Sequence, residues 1–228
     1  MTFSGLAARV AAVREEIAAV QSREGVRQPV TIVAITKGHP PEAVRAAWAV
    51  GLTVVGENRV QEAVVKRESC EGVVIDWHLV GHLQTNKARL VPHAFTMVHS
   101  VDSAKVIEAL DRECGKAEAE LDVLIQVNVA GEGQKSGCQP GETATLVGDV
   151  LARRRLRIRG LMTMAPLTVD EALQRRTFAA LRTLRDDLAT ASVPLADLSM
   201  GMSADWRAAV AEGATLLRLG TILFGDRP

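Results

Sequence analysis

Eight short apolar runs, separated by helical patterns, constrain this chain more than any other feature. They are residues 29–36 (PVTIVAIT), 52–56, 76–81, 96–100, 121–129, 156–162, 195–200 and 214–220. The first, 29–36, is rich in β-branched residues with few polar ones, as in a buried strand. Within 3–24, Leu6, Val10, Val13, Ile17 and Val20 recur at helical spacing, and helical patterns follow at 102–119, 140–153, 170–190 and 203–212. Pro41 opens and Gly51 closes a helix after the first strand. Eight strands in this rhythm predict a (β/α)8 TIM barrel, with a doubly wound open sheet as the alternative. No Gly-, Ser- or Pro-rich linker divides the 228 residues, so the expectation is one domain over 1–228 around one core.

The barrel reading says where chemistry should sit, because barrel sites are built at the C-terminal strand ends. The unusual residues cluster there. Lys37 ends the first strand, GENRVQE (56–62) follows the second, and HLVGHLQTNK (78–87) spans the end of the third. VNVAGEGQKSG (127–137), GLMTMAP (160–166), SMGMSADW (199–206) and RLGTILFG (218–225) follow the fifth to eighth.

A lysine at a strand end is ordinarily a solvated amine. At a barrel mouth, partial desolvation or nearby cations lower its pKa and let it attack a carbonyl to form a Schiff base. The loops after strands seven and eight are where barrels hold phosphate, and here they offer Ser199, Gly201, Ser203, Gly220 and Thr221. Arg218 lies between Leu217 and Leu219, so alternation turns it into the barrel. There it could donate to a pyridine nitrogen, which would stay unprotonated because arginine keeps its proton. An amine facing a phosphate site fits either pyridoxal 5′-phosphate (PLP) or a phosphorylated sugar or aldehyde.

Other features narrow the classes. Lys plus Arg and Asp plus Glu both number 27, so no strong field steers the chain toward nucleic acid or an anionic membrane. No apolar run approaches the roughly 20 residues that span a bilayer, and the N-terminus has no leader pattern. The expected location is the cytoplasm. Cys70, Cys114 and Cys138 are unclustered and read as ordinary thiols. His78 and His82 lie four apart across Gly81, without metal-ligand spacing on one helical face, and read as mouth-lining or structural. Met162 and Met164 read as core by composition. Tyrosine is absent, which removes one common acid–base group.

The motifs AITKGHP, GENRVQE, WHLVGHLQTNK, VNVAGEGQKSG, GLMTMAP, LSMGMSADW and RLGTILFG, in this order over essentially the whole chain, resemble the PLP homeostasis protein family, also called the YggS/PROSC family. The resemblance implies a barrel like the N-terminal domain of alanine racemase, with PLP as a Schiff base on Lys37. It implies phosphate contacts from Ser199, Gly201, Met202, Ser203, Gly220 and Thr221, with Asn58 near the ring and Arg218 at the ring nitrogen. Met162 and Met200 complete the implied cofactor-binding set. Members often carry a second lysine soon after the first; here His39 stands in that region, and Lys135 is the candidate second amine.

The implied function is PLP homeostasis: holding the cofactor and buffering or delivering it to apo PLP-dependent enzymes, as a monomer, without efficient catalysis. The alternative is a PLP-dependent amino-acid racemase or related enzyme with a histidine or Lys135 as second base. A Schiff-base aldolase acting on a sugar phosphate is the third reading.

Overall fold

Parallel pairing of each strand with the next decides the architecture. The computed structural model describes residues 3–131 and 136–226. Its strands are β1 (Thr31–Ile35), β2 (Val54–Glu57), β3 (Asp76–Leu79), β4 (Met97–Val101), β5 (Leu121–Gln126), β6 (Leu156–Met162), β7 (Asp197–Ser199) and β8 (Leu216–Leu219). They form a closed barrel in chain order, and β8 pairs with β1, setting Val33 against Arg218. Closure removes the open-sheet alternative.

Alternation sorts the strand residues into two layers. Val33, Ile35, Val54, Met97, Leu124, Met162 and Leu216 pack together inside the barrel. Their neighbours, such as Ala34, Val55, Leu79, Val98, Leu161, Leu198 and Leu217, belong to the larger core between strands and helices. Each buried Val, Leu or Met contributes about 1.5–3 kcal/mol by leaving water.

The helices are α1 (Leu6–Glu24), α2 (Glu42–Ala49), α3 (Val60–Glu68), α4 (Val91–Ala94), α5 (Ala104–Lys116), α6 (Thr143–Leu151), α7 (Glu171–Leu188), α8 (Trp206–Ala211) and α9 (Thr221–Phe224). The stripe Leu6, Val10, Val13, Ile17 and Val20 is the buried face of α1. Arg9 Nε ties this helix to α9 by donating to the Leu223 carbonyl at 2.6 Å. The sequence pattern does not reveal α3, because its buried positions Val60, Ala63 and Lys66 include a charge. The seventh strand is shorter than expected, since Leu195 takes φ 43 and cannot extend it. No helix among the described residues is long and apolar enough to cross a membrane. All three cysteines are free and buried, and burial pushes the Cys114 thiol up to about 11.

Candidate functional site

At the C-terminal strand ends lies a cavity of about 270 Å³ between Lys37 and Asn58 on one side and Ser203 and Thr221 on the other, with Arg218 also in its lining. Strand alternation explains the convergence. Lys37 lies two residues beyond Ile35, Asn58 two beyond Gly56, and Gly220 two beyond Arg218, so all continue inward-facing rows.

Lys37 occupies a tight turn. The His39 N–H donates to the Thr36 carbonyl at 3.0 Å, and Gly38, third in the turn, has φ 74. A positive φ there is what a type II turn requires and glycine supplies. Beneath the turn, Thr36 donates its hydroxyl to Glu57 at 2.6 Å and accepts Lys66 Nζ on its carbonyl at 2.8 Å. Lys66, from α3, also pairs with the Glu57 carboxylate, and both side chains are buried. One ion pair thus anchors the residues immediately before Lys37 and Asn58. Asn58 is further fixed by Gly81: a Cβ at that position would fall 2.3 Å from the Asn58 carbonyl oxygen.

From the strands that complete the ring beside β1, Met202 and Ser203 come from the loop after β7, and Gly220 and Thr221 follow β8. Ser203 Oγ accepts the Ile222 N–H at 3.3 Å, which joins the two loops. The Asp205 carboxylate accepts the Met202 N–H. Gly201, at φ 91, is buried, and a Cβ there would sit 2.6 Å from the Ala209 Cβ. Its missing side chain makes room for α8.

Arg218 is buried at the cavity floor. It donates from one terminal nitrogen to Ser199 Oγ at 2.6 Å and from the other to the Thr163 carbonyl at 2.8 Å. Burial lowers its pKa to about 10, with Asp205 opposing, so it is a cation at neutral pH. Its hydrogen bonds run to Ser199 and Thr163, and Asp205 is the carboxylate that acts on it electrostatically.

Three expected contacts take other positions. Ser199 is fully buried below the cavity lining, and its hydroxyl is committed to Arg218 and to His99 Nδ1 at 2.8 Å. Met162 packs in the inner layer beneath the site, and Met200 packs in the outer core. Ser199 and Met162 fall below the rim on which Met202 and Ser203 stand, and alternation turns Met200 outward. Met164, two residues beyond Met162 on the same inward row, does line the cavity. Lys135 lies outside the described residues.

His99 is the candidate that sequence reasoning passed over, and it meets His78, which the sequence reads as mouth-lining or structural. His99 Nε2 lies 2.9 Å from His78 Nδ1, and both rings are buried inside the barrel. The signal was available, since Met97 and His99 alternate on one face of a single strand. His39 is buried between Phe3 and Phe224, with ring centroids at 5.9 and 5.5 Å. It fastens the N-terminal segment and α9 at the mouth. His82 stands at the rim, 3.6 Å from Asp102. Among the described residues no group of His, Cys, Asp or Glu could hold a metal ion.

The model of the alanine racemase N-terminal domain family matches residues 9–228. The pyridoxal phosphate homeostasis protein of Pseudomonas aeruginosa is 41% identical over 227 residues, covering 99% of this chain and 97% of that protein. The chain belongs to this family. The Escherichia coli member is 36% identical over 230 residues, covering 99% of this chain and 98% of its own. Among solved structures, PipY of Synechococcus elongatus PCC7942 with PLP bound is 38% identical, with a TM-score of 0.83 over 96% of this chain and all of that one. Alanine racemase of Clostridium difficile shares the fold at 14% identity, with a TM-score of 0.74 over 94% of this chain and 56% of its own.

Proposed function

We propose that this chain binds PLP in the cavity and serves its homeostasis, holding the reactive aldehyde masked and releasing it to apo-enzymes. The observation that carries the reading is the donor set around one cavity: a mouth lysine, a buried arginine held by a hydroxyl and a backbone carbonyl, and two hydroxyls on joined loops. These residues fit the group. PLP supplies an aldehyde that condenses with a primary amine, forming a C=N bond and losing water. Lys37 would provide that amine. Ser203 and Thr221, with the backbone at Gly220, would receive the phosphate. Arg218 would donate to the ring nitrogen and, being a donor only, keep it unprotonated. An unprotonated ring is a weaker electron sink, which favours storage over carbanion chemistry. Asn58 borders the same cavity beside Lys37.

Borohydride reduction of the PLP-incubated protein, followed by peptide mapping, should label Lys37. Lys37→Ala should lose the label and bind more weakly, while the phosphate contacts retain part of the affinity. The loaded protein should restore activity to an apo PLP-dependent enzyme and show no turnover of free amino acids above background. Labelling elsewhere would refute the assignment of Lys37. Turnover lost in Lys37→Ala would favour the racemase reading.

A further inference from the structure

Behind Arg218 a chain of side chains crosses the barrel from β8 to β3. Arg218 donates to Ser199 Oγ at 2.6 Å, Ser199 meets His99 Nδ1 at 2.8 Å, and His99 Nε2 meets His78 Nδ1 at 2.9 Å. We propose that His99 and His78 are positioning residues that act through Ser199 to fix which edge of the Arg218 guanidinium faces the cavity. The consequence for a bound ligand rests on the PLP reading above; the chain itself does not.

The hydrogen-bond direction follows from donor inventory. Arginine only donates, so Ser199 Oγ accepts from Arg218. A serine has one proton to give, and among the described residues the oxygen's other partner is His99 Nδ1. Spending the hydroxyl proton on Nδ1 satisfies both atoms; a protonated Nδ1 would crowd two donors onto the oxygen and strand its proton. His99 therefore carries its proton on Nε2 and donates to His78 Nδ1, and His78 carries its own on Nε2. Both rings stay neutral at pH 7. Burial depresses His78 to about 4, and burial, His78 and Arg218 together depress His99 well below its ordinary value. The inner layer around them includes the apolar side chains of Val33, Ile35, Val54 and Leu124.

The geometry then explains why a buried cation holds one orientation. Its two terminal nitrogens are gripped by Ser199 and by the Thr163 carbonyl. Ser199 is held in turn because its proton has one destination.

Nitrogen-15 NMR of histidine-labelled, cofactor-free protein tests the chain directly. At pH 7, His99 and His78 should both be neutral with the proton on Nε2, and Ser199→Ala should change the His99 signals. PLP titration tests the consequence. His99→Leu and Ser199→Ala should raise the dissociation constant roughly tenfold, the loss of one hydrogen bond to a charged group, and shift the visible band. His99→Asn, which keeps an acceptor near the Nδ1 position, should recover most of the affinity. A proton on His99 Nδ1, or His99→Leu and Ser199→Ala with wild-type affinity and band, overturns the proposal. If the wild type binds no PLP, the cofactor reading fails, and the NMR result alone then upholds or overturns the chain. Ser199→Ala carries the test if His99→Leu does not fold.

Discussion

Lys66 on α3 and Glu57 at the end of β2 form an ion pair buried beneath the cavity, with Lys66 Nζ also bonded to the Thr36 carbonyl at 2.8 Å. Buried pairs are seldom strong stabilisers, because desolvation offsets their attraction, but breaking one strands a charge. Here the pair spans β1, β2 and α3, and the residues that follow its anchor points are Lys37 and Asn58. Its role is to hold two cavity residues in register.

Lys66→Met should cost about 3–5 kcal/mol, because it leaves Glu57 buried and unpaired. Lys66→Met combined with Glu57→Leu should recover part of that loss. Urea unfolding of the three proteins checks both, and equal stability of the single and double variants would refute the pairing argument. Borohydride labelling at Lys37 should slow in both variants, since the turn loses its anchor.

Ser203→Ala and Thr221→Val should each weaken PLP binding roughly tenfold or more, as expected for a lost hydrogen bond to a charged group. Affinity for inorganic phosphate should fall in parallel. Ser199→Ala should leave phosphate affinity unchanged, because its hydroxyl is bonded to Arg218 and His99. Competition between phosphate and PLP, measured by absorbance, separates the two serines.

Acid should destabilise the fold through His78. Its folded pKa lies near 4 and its ordinary value near 6.5. The unfolded chain therefore takes up a proton first, so the contribution is complete above pH 6.5 and is lost as pH falls toward 4. The span is about 2.5 units, or roughly 3 kcal/mol. His99 acts in the same direction. His78→Gln should flatten the stability–pH curve between pH 6.5 and 4 in denaturant titrations; an unchanged slope would show that His78 is not the acid-sensitive group.

Gly81→Ala should disturb the mouth without touching a ligand. Its methyl would press on the Asn58 carbonyl at 2.3 Å, and overpacking of this kind costs about 1–3 kcal/mol. Thermal unfolding should register the loss, and PLP affinity should fall because Asn58 moves. Normal stability with normal affinity would mean that the two loops are not in tight contact.

The barrel was legible because strand alternation and the βα rhythm are local signals that repeat eight times. The positions of Lys37, Ser203, Arg218, Gly220 and Thr221 at strand ends were legible in the same way, while Met202 was implied by the family resemblance. What the pattern hid was depth. Ser199 and Ser203 share a motif, yet the three residues between them separate the barrel interior from the rim. Gly201 reads as a ligand-approach glycine, and the pattern does not show that its missing side chain also makes room for α8. Lys66 was invisible because a charge on a short helix reads as a solvated face until its partner, nine residues earlier at a strand end, is seen.

The closing contact between β1 and β8 gives the site a further property. Lys37 extends from the first strand and Arg218, Gly220 and Thr221 from the last, so the walls of the cavity come from opposite ends of the polypeptide and meet at the seam. A ligand gripped by both sides bridges that seam like a clasp. It can be held in full only by a ring already complete, and its binding energy opposes any opening of β1 from β8.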